Sequence, residues 1–184
     1  MILMSLALMI KELFTSLYDD SGDEKQDNIV PDVEDDPVSK VGDVWLLGEH
    51  KLLCGDSCKQ ESYQSLLGDE LADMTFTDPP YNVNYGESAK DKLRSKGGIK
   101  AGRKIINDNL GDAFANFLLT CHQNIIRVTK GACYICMSSS ELHTLQKAFV
   151  DAGGHWSTFI IWAKNTFTLG RADYQRQYES ILYG

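Results

Sequence analysis

The spacing of apolar residues changes period several times along this chain, and each change marks an element. "LALMIKELFTSLYDD" (residues 6–20) repeats its apolar positions at helical spacing, and the apolar opening "MILMSLALMI" reads as part of a helix that packs on something. "SGDEKQDNIVPDVEDDPVSK" (21–40) is charged and has little to bury, which predicts a flexible linker. From Val41 the pattern is globular. "DVWLLGEHKLLCGDS" carries two apolar runs around a turn and predicts a hairpin. "KQESYQSLLGDE" predicts a helix closed near Gly68, and "LADMTFTD" a buried strand that ends in Asp78. Residues 82–108 show no period and predict a long loop. "GDAFANFLLTCHQNIIRVTK" predicts a helix capped by Asp112, with Phe114, Phe117, Leu118, Cys121 and Ile125 at helical spacing. "GACYICMSS" predicts a strand, and "SELHTLQKAFVDAGG" a helix with a serine start and a glycine stop. "HWSTFIIWAKN" and "YQRQYESILYG" predict two further strands.

The resulting order, β-α-β-α-β-α-β-β, predicts an α/β fold: a mostly parallel sheet with helices on both faces and one antiparallel strand, because the last two strands follow each other without a helix. The predicted organisation is a helix plus acidic linker over residues 1–40 and one domain over 41–184; 184 residues suffice for one domain with a real core. Apolar content of 43% and charged content of 24% are those of a soluble globular protein. No apolar run approaches the ~18 residues of a membrane span, so no membrane partner is expected. The apolar opening has no basic segment before it and no small-residue cleavage site after it, which argues against a signal peptide and for a cytoplasmic location. Five irregularly spaced cysteines fit reduced thiols better than a disulfide framework. The net charge of −8 is concentrated: residues 1–40 hold ten acids and three bases, a net of −7, which leaves −1 for residues 41–184. The acidity therefore says little about what the globular part binds.

The candidate chemistry lies in "MTFTDPPYNVNYG" (74–86). In an open α/β sheet, ligands sit beyond the carboxyl ends of the strands, and Asp78 is placed there. Pro79 and Pro80 fix the backbone torsions and remove two N–H donors while their carbonyls remain. Tyr81 adds a flat stacking surface. Such a tip suits a planar ring with an exocyclic amine. The Asp78 carboxylate and the Pro79 carbonyl can hold the amine's two hydrogens, favouring a tetrahedral nitrogen whose lone pair points at an electrophile. Tyr81 would stack on the ring, an interaction of roughly 1–3 kcal/mol. The plainer alternative is a strand-to-loop turn, since Asp and Pro are ordinary turn residues.

With "TDPPYN", the segments "GDVWLLGEHKLLCGDS", "IIWAKN" and "YQRQYESILYG" run in one order over about residues 41–184. In that order the chain resembles the catalytic half of an amino-group DNA methyltransferase acting on adenine N6 or cytosine N4, of the permuted class in which the catalytic motif precedes the glycine motif. The resemblance implies a partial Rossmann-like methyltransferase fold, S-adenosylmethionine as methyl donor, double-stranded DNA as partner and a flipped-out target base. It implies Asp78, Pro79, Pro80 and Tyr81 as the catalytic turn, and Asp56, Asp78 and Pro79 as cofactor contacts. Asp rather than Ser at the head of the turn points to adenine. Phage and prophage members often carry a ParB-like domain upstream, and residues 1–40 resemble the tail of such a fusion. The family's glycine-rich turn and its ribose-binding acid are missing. Gly97-Gly98 lies in a basic loop and Gly153-Gly154 closes a helix. The chain therefore reads as a truncated product, a prophage remnant or one half of a split enzyme. Its uncovered sheet edge predicts pairing with a complementary half or a second copy.

Asp56, in "CGDS", can serve the adenine end of the cofactor, as the resemblance implies, or simply cap the helix that follows. Residues 87–104 hold seven bases (Lys90, Lys92, Arg94, Lys96, Lys100, Arg103, Lys104) against Glu87 and Asp91. This basic loop suits DNA phosphates, or else is a solvated loop. Cys133 and Cys136 have metal-like spacing, but on a strand i and i+3 face opposite ways, so no metal site is expected. His122 and His143 fall on helices as surface or packing residues. The resemblance makes Lys164 and Glu179 candidates for supporting the substrate pocket, with structural salt bridging as the alternative. Other readings are methylation of an RNA base or a glutamine side chain, and a non-catalytic DNA-binding or assembly subunit.

Overall fold

A computed structural model describes residues 2–3, 38–84, 105–167 and 173–184. Strands β2 (Val44–Leu47) and β3 (His50–Cys54) form the expected hairpin, with Leu47 opposite His50. Gly48, at φ +64°, supplies the left-handed residue that such a tight two-residue turn needs. Ile2–Leu3 forms β1, antiparallel to β3, with Ile2 opposite Cys54. This corrects the helix expected from the chain start for these two residues: the free edge of β3 offers backbone partners that helical spacing does not reveal. Residues 4–37, and with them the rest of that helix and the linker, lie outside the described residues.

Helix α1 (Gln60–Leu67) ends as expected at Gly68, whose N–H donates to the Gln64 carbonyl at 2.8 Å. Strand β4 (Thr75–Thr77) pairs parallel with β5 (Cys133–Met137). A single 3-10 turn (Gly111–Ala113) and helix α2 (Phe114–Val128) connect them. Helix α3 (Leu142–Asp151) leads to β6 (Thr158–Ala163), and β7 (Tyr178–Tyr183) closes the chain. The four-stranded sheet has the order β4-β5-β7-β6. Strand β7 is the one reversed strand, as the missing connecting helix predicts. It inserts between β5 and β6, however, and is antiparallel to both. The sheet is therefore mixed, with β4–β5 its one parallel pair, and the expectation of a mostly parallel sheet is corrected.

Phe114, Phe117, Leu118, Cys121 and Ile125 of α2 are all buried, as their spacing predicts. They meet Leu145, Ala148 and Phe149 of α3, Tyr63 of α1, Cys133, Ile135 and Met137 of β5, and Leu182 of β7 in one core. Burying each large apolar side chain contributes about 1.5–3 kcal/mol. All three helices deliver residues to this same cluster, so the expected helices on both faces are replaced by helices on one face among the described residues. Strand pairing sets Phe76, Tyr134, Tyr183 and Ile160 on the other face, where they are half-buried or exposed. No helix among the described residues is long and apolar enough to cross a membrane.

Candidate active site

Alternation along the strands brings chemistry to one corner of that second face. Asp78 follows Phe76 by two positions and continues its face past the carboxyl end of β4. Glu179 pairs with Trp162, and Lys164 follows Trp162 by two. The Lys164 ammonium sits 4.9 Å from the Trp162 ring centre and forms an ion pair with Glu179 Oε2. The Tyr81 hydroxyl contacts Asp78 Oδ1 at 2.6 Å and Glu179 Oε1 at hydrogen-bonding distance or closer. Asp78, Tyr81, Glu179 and Lys164 thus form one continuous polar chain across β4, β7 and the end of β6.

Asp78 is exposed, Pro79 buried, and Pro80 and Tyr81 half-buried. Tyr81 forms one wall of a cavity of about 260 Å3, shared with Met137, Ser138, Lys164, Arg176 and Glu179. Arg176 also donates to the Ser139 hydroxyl.

The turn is held from behind by residues that local sequence patterns do not reveal. Buried Asp108 accepts the backbone N–H of Tyr81 at 3.0 Å and of Val83 at 3.2 Å. Asn82 adopts φ +58°, a left-handed conformation that Asn tolerates better than most residues. Its side-chain oxygen accepts from Leu110 and Gly111 N–H at 2.9 and 3.0 Å, and its amide donates to Glu141 Oε1 at 3.2 Å. The Asn82 amide therefore satisfies donors just ahead of α2, the role expected of Asp112. Asp112 instead falls within the 3-10 turn, and the N-cap of α2, Ala113, has no side-chain cap. The sequence sign of this bracket is Asn82 in "PYN" and Asp108 in "NDN", flanking a loop.

Charge at the corner is strongly biased. Partial burial raises the Asp78 carboxyl above the usual carboxylate range, with Glu179 adding to the rise while Tyr81 and Lys164 oppose it. Burial would also raise Glu179, but its bonds from Lys164 and Tyr81 prevail and lower it. Tyr81 is pushed far up by burial and by both carboxylates. Cys136, buried beside this group on β5, is pushed up to about 12 by burial, then by the charges of Asp78 and Glu179.

The other expected site residues are placed elsewhere. Asp56 Oδ1 accepts the N–H of Cys58 at 2.9 Å, an Asx turn ahead of α1. Its geometry is that of a turn residue rather than of a cap on α1, whose N-cap, Lys59, has no side-chain bond. Lys90, Lys92, Arg94, Lys96, Lys100, Arg103 and Lys104 lie outside the described residues. Cys133 and Cys136 are both buried on β5, and among the described residues no three His, Cys, Asp or Glu side chains converge as metal ligands. Cys58 and Cys121, far apart in sequence, bring their sulfurs within 3.5 Å. His122 is buried against Phe149 with the ring edge on, while His143 stays exposed on α3.

A sulfonium nucleoside fits these residues poorly. Asp56 is turned to its own backbone, and among the described residues no glycine-rich turn follows a strand of the four-stranded sheet. The corner offers acceptors and a ring surface, which suit an amine-bearing ring.

No family model matches the chain, and no curated protein matches it. Among solved structures, the crystal structure of the M1.HpyAVI–SAM complex is similar at a TM-score of 0.40 and 17% sequence identity. That likeness covers 67% of this chain and 47% of the other, so this chain spans about half the length of the structure it matches.

Proposed function

We propose that this chain is the amine-holding half of an S-adenosylmethionine-dependent DNA methyltransferase, with adenine N6 as its target. The observation that carries the reading is Asp78: a solvent-accessible carboxyl just past the carboxyl end of β4, bonded to Tyr81, whose side chain lines a cavity of about 260 Å3. Asp78 and the Pro79 carbonyl accept the two amine hydrogens, and the Tyr81 ring stacks on the base. Holding both hydrogens withdraws the nitrogen lone pair from the ring and aims it outward, which lowers the barrier without a strong base. The methyl donor supplies the electrophile. The residues that would grip it are not assembled among the described residues, where Asp56 is turned to its own backbone, so no donor-binding role is assigned to them.

The basic residues Lys90 to Lys104 are proposed to hold DNA phosphates, which suits seven positive charges in the segment that follows the turn in sequence. The partner is proposed to be a complementary methyltransferase half, seated at the edge strand β4 and on the sheet face that carries no helix among the described residues. Two assays test the reading. Calorimetry with S-adenosylmethionine on the chain alone should give no binding, and measurable affinity would contradict the half-site. Mixing the chain with a protein that supplies the glycine-rich strand should transfer labelled methyl groups to adenine in duplex DNA. Label in RNA or protein, or in none of these, would refute the DNA assignment.

A further inference from the structure

Two carboxylates share one phenol in the resting corner. The Tyr81 hydroxyl lies 2.6 Å from Asp78 Oδ1 and also within bonding reach of Glu179 Oε1. A phenol carries one proton and can donate it once. Its oxygen can then only accept, so the second carboxyl must itself bring a proton if that contact is to be attractive. Two ionised oxygens around a singly protonated phenol would leave one contact repulsive.

Every charged or titratable neighbour bears on where the second proton sits. Lys164, beyond β6, forms its ion pair with the far oxygen of Glu179 and so holds that group as the anion. Arg176, ahead of β7, lies on the cavity wall and bonds to Ser139. Cys136 of β5 is a buried neutral thiol. Asp78 has no cation bonded to it among the described residues, whereas Glu179 has one. Burial and the nearby charge of Glu179 raise Asp78, whereas the bond from Lys164 helps to lower Glu179.

We propose that Glu179, anchored by Lys164, is a positioning residue that draws the Tyr81 proton to itself, so that in the resting site Asp78 is the protonated member and donates to the Tyr81 oxygen. This deepens the reading of Asp78 as an amine acceptor and rests on it for its functional meaning. A protonated Asp78 cannot accept two amine hydrogens. The site is therefore closed to the amine until Asp78 loses its proton, and Glu179 sets the pH at which that happens. The same contact fixes the Tyr81 ring against the cavity before any base arrives.

The test is a carbon-13 NMR titration of aspartate carboxyls in the full chain, with Asp78 assigned from its loss in Asp78→Asn. In Glu179→Ala the Tyr81 proton becomes available to Asp78, and the Asp78 midpoint should fall by about one pH unit or more. In Tyr81→Phe, Asp78 loses the acceptor for its own proton, and its midpoint should fall too. Were Tyr81 instead the donor to Asp78, removing its hydroxyl would raise that midpoint. A rise in Tyr81→Phe, or a midpoint in Glu179→Ala that stays put or rises, overturns the proposal. The two variants are independent, so misfolding of one leaves the other decisive. The titration needs no methyl donor. If it fails while Asp78→Ala still abolishes methyl transfer in the complemented assay, only the proton placement is wrong and the amine-holding reading stands.

Discussion

Asp108 shows how much a single residue can matter without touching a ligand. Its buried side chain collects two backbone N–H groups from the turn after β4, and a charged acceptor makes such bonds stronger than neutral ones. Asp108→Ala should strand both donors and lower unfolding stability in urea by about 1–3 kcal/mol, while Asp108→Asn, which keeps one acceptor oxygen, should cost less. Equal losses would mean the carboxylate is not the clamp. His122 carries the pH prediction. Burial, partly offset by a backbone bond to Ala148, lowers it to about 4 from an ordinary 6.5. The unfolded chain therefore binds this proton more readily than the folded one. The contribution of neutral His122 is fully present above pH 6.5 and is lost as pH falls from there toward 4, on the order of 3 kcal/mol in all. His122→Gln should flatten the stability profile over that window, and an unchanged profile would exclude His122 as its source.

At the scale of elements, short-range pattern was a good guide and strand pairing was not. The apolar spacing of α2 appears in the structure as a fully buried stripe, and the glycine stop of α1 as a C-cap. The placement of β7 between β5 and β6, and the pairing of Ile2–Leu3 with β3, depend on partners distant in sequence. No local period encodes either. The same holds for the site. Asp78 and Tyr81 stand out because they sit together at a strand end, whereas Asp108 reaches Tyr81 across 27 positions and Glu179 across 98. Gly131 illustrates a constraint set by element crossing. A Cβ there would lie 2.0 Å from the Asp73 carbonyl oxygen, where the loop into β5 passes the start of β4. Because that neighbour is backbone, it cannot swing aside. Gly131→Ala should destabilise the chain by about 1–3 kcal/mol in urea unfolding, and an unchanged midpoint would show that the two segments separate easily.

Across the described residues, the placement of helices on one side leaves apolar area on the opposite face and on the hairpin. Leu46 is 72% exposed, Trp162 48% and Ile160 40%, too much large apolar surface to be incidental. If a complementary half covers the sheet, Ile160→Glu should weaken its association by at least tenfold in sedimentation velocity, because a buried unpaired charge is costly at an interface. Unaltered affinity would place the partner elsewhere.

Asp78 is the residue on which amine holding depends. In the complemented methylation assay, Asp78→Ala should reduce the rate of transfer to duplex DNA by about a hundredfold or more, the typical cost of removing one placed charge-stabilising group. Tyr81→Phe, which keeps the stacking ring, should lose far less. Transfer at an undiminished rate in Asp78→Ala would show that the carboxylate does not hold the amine.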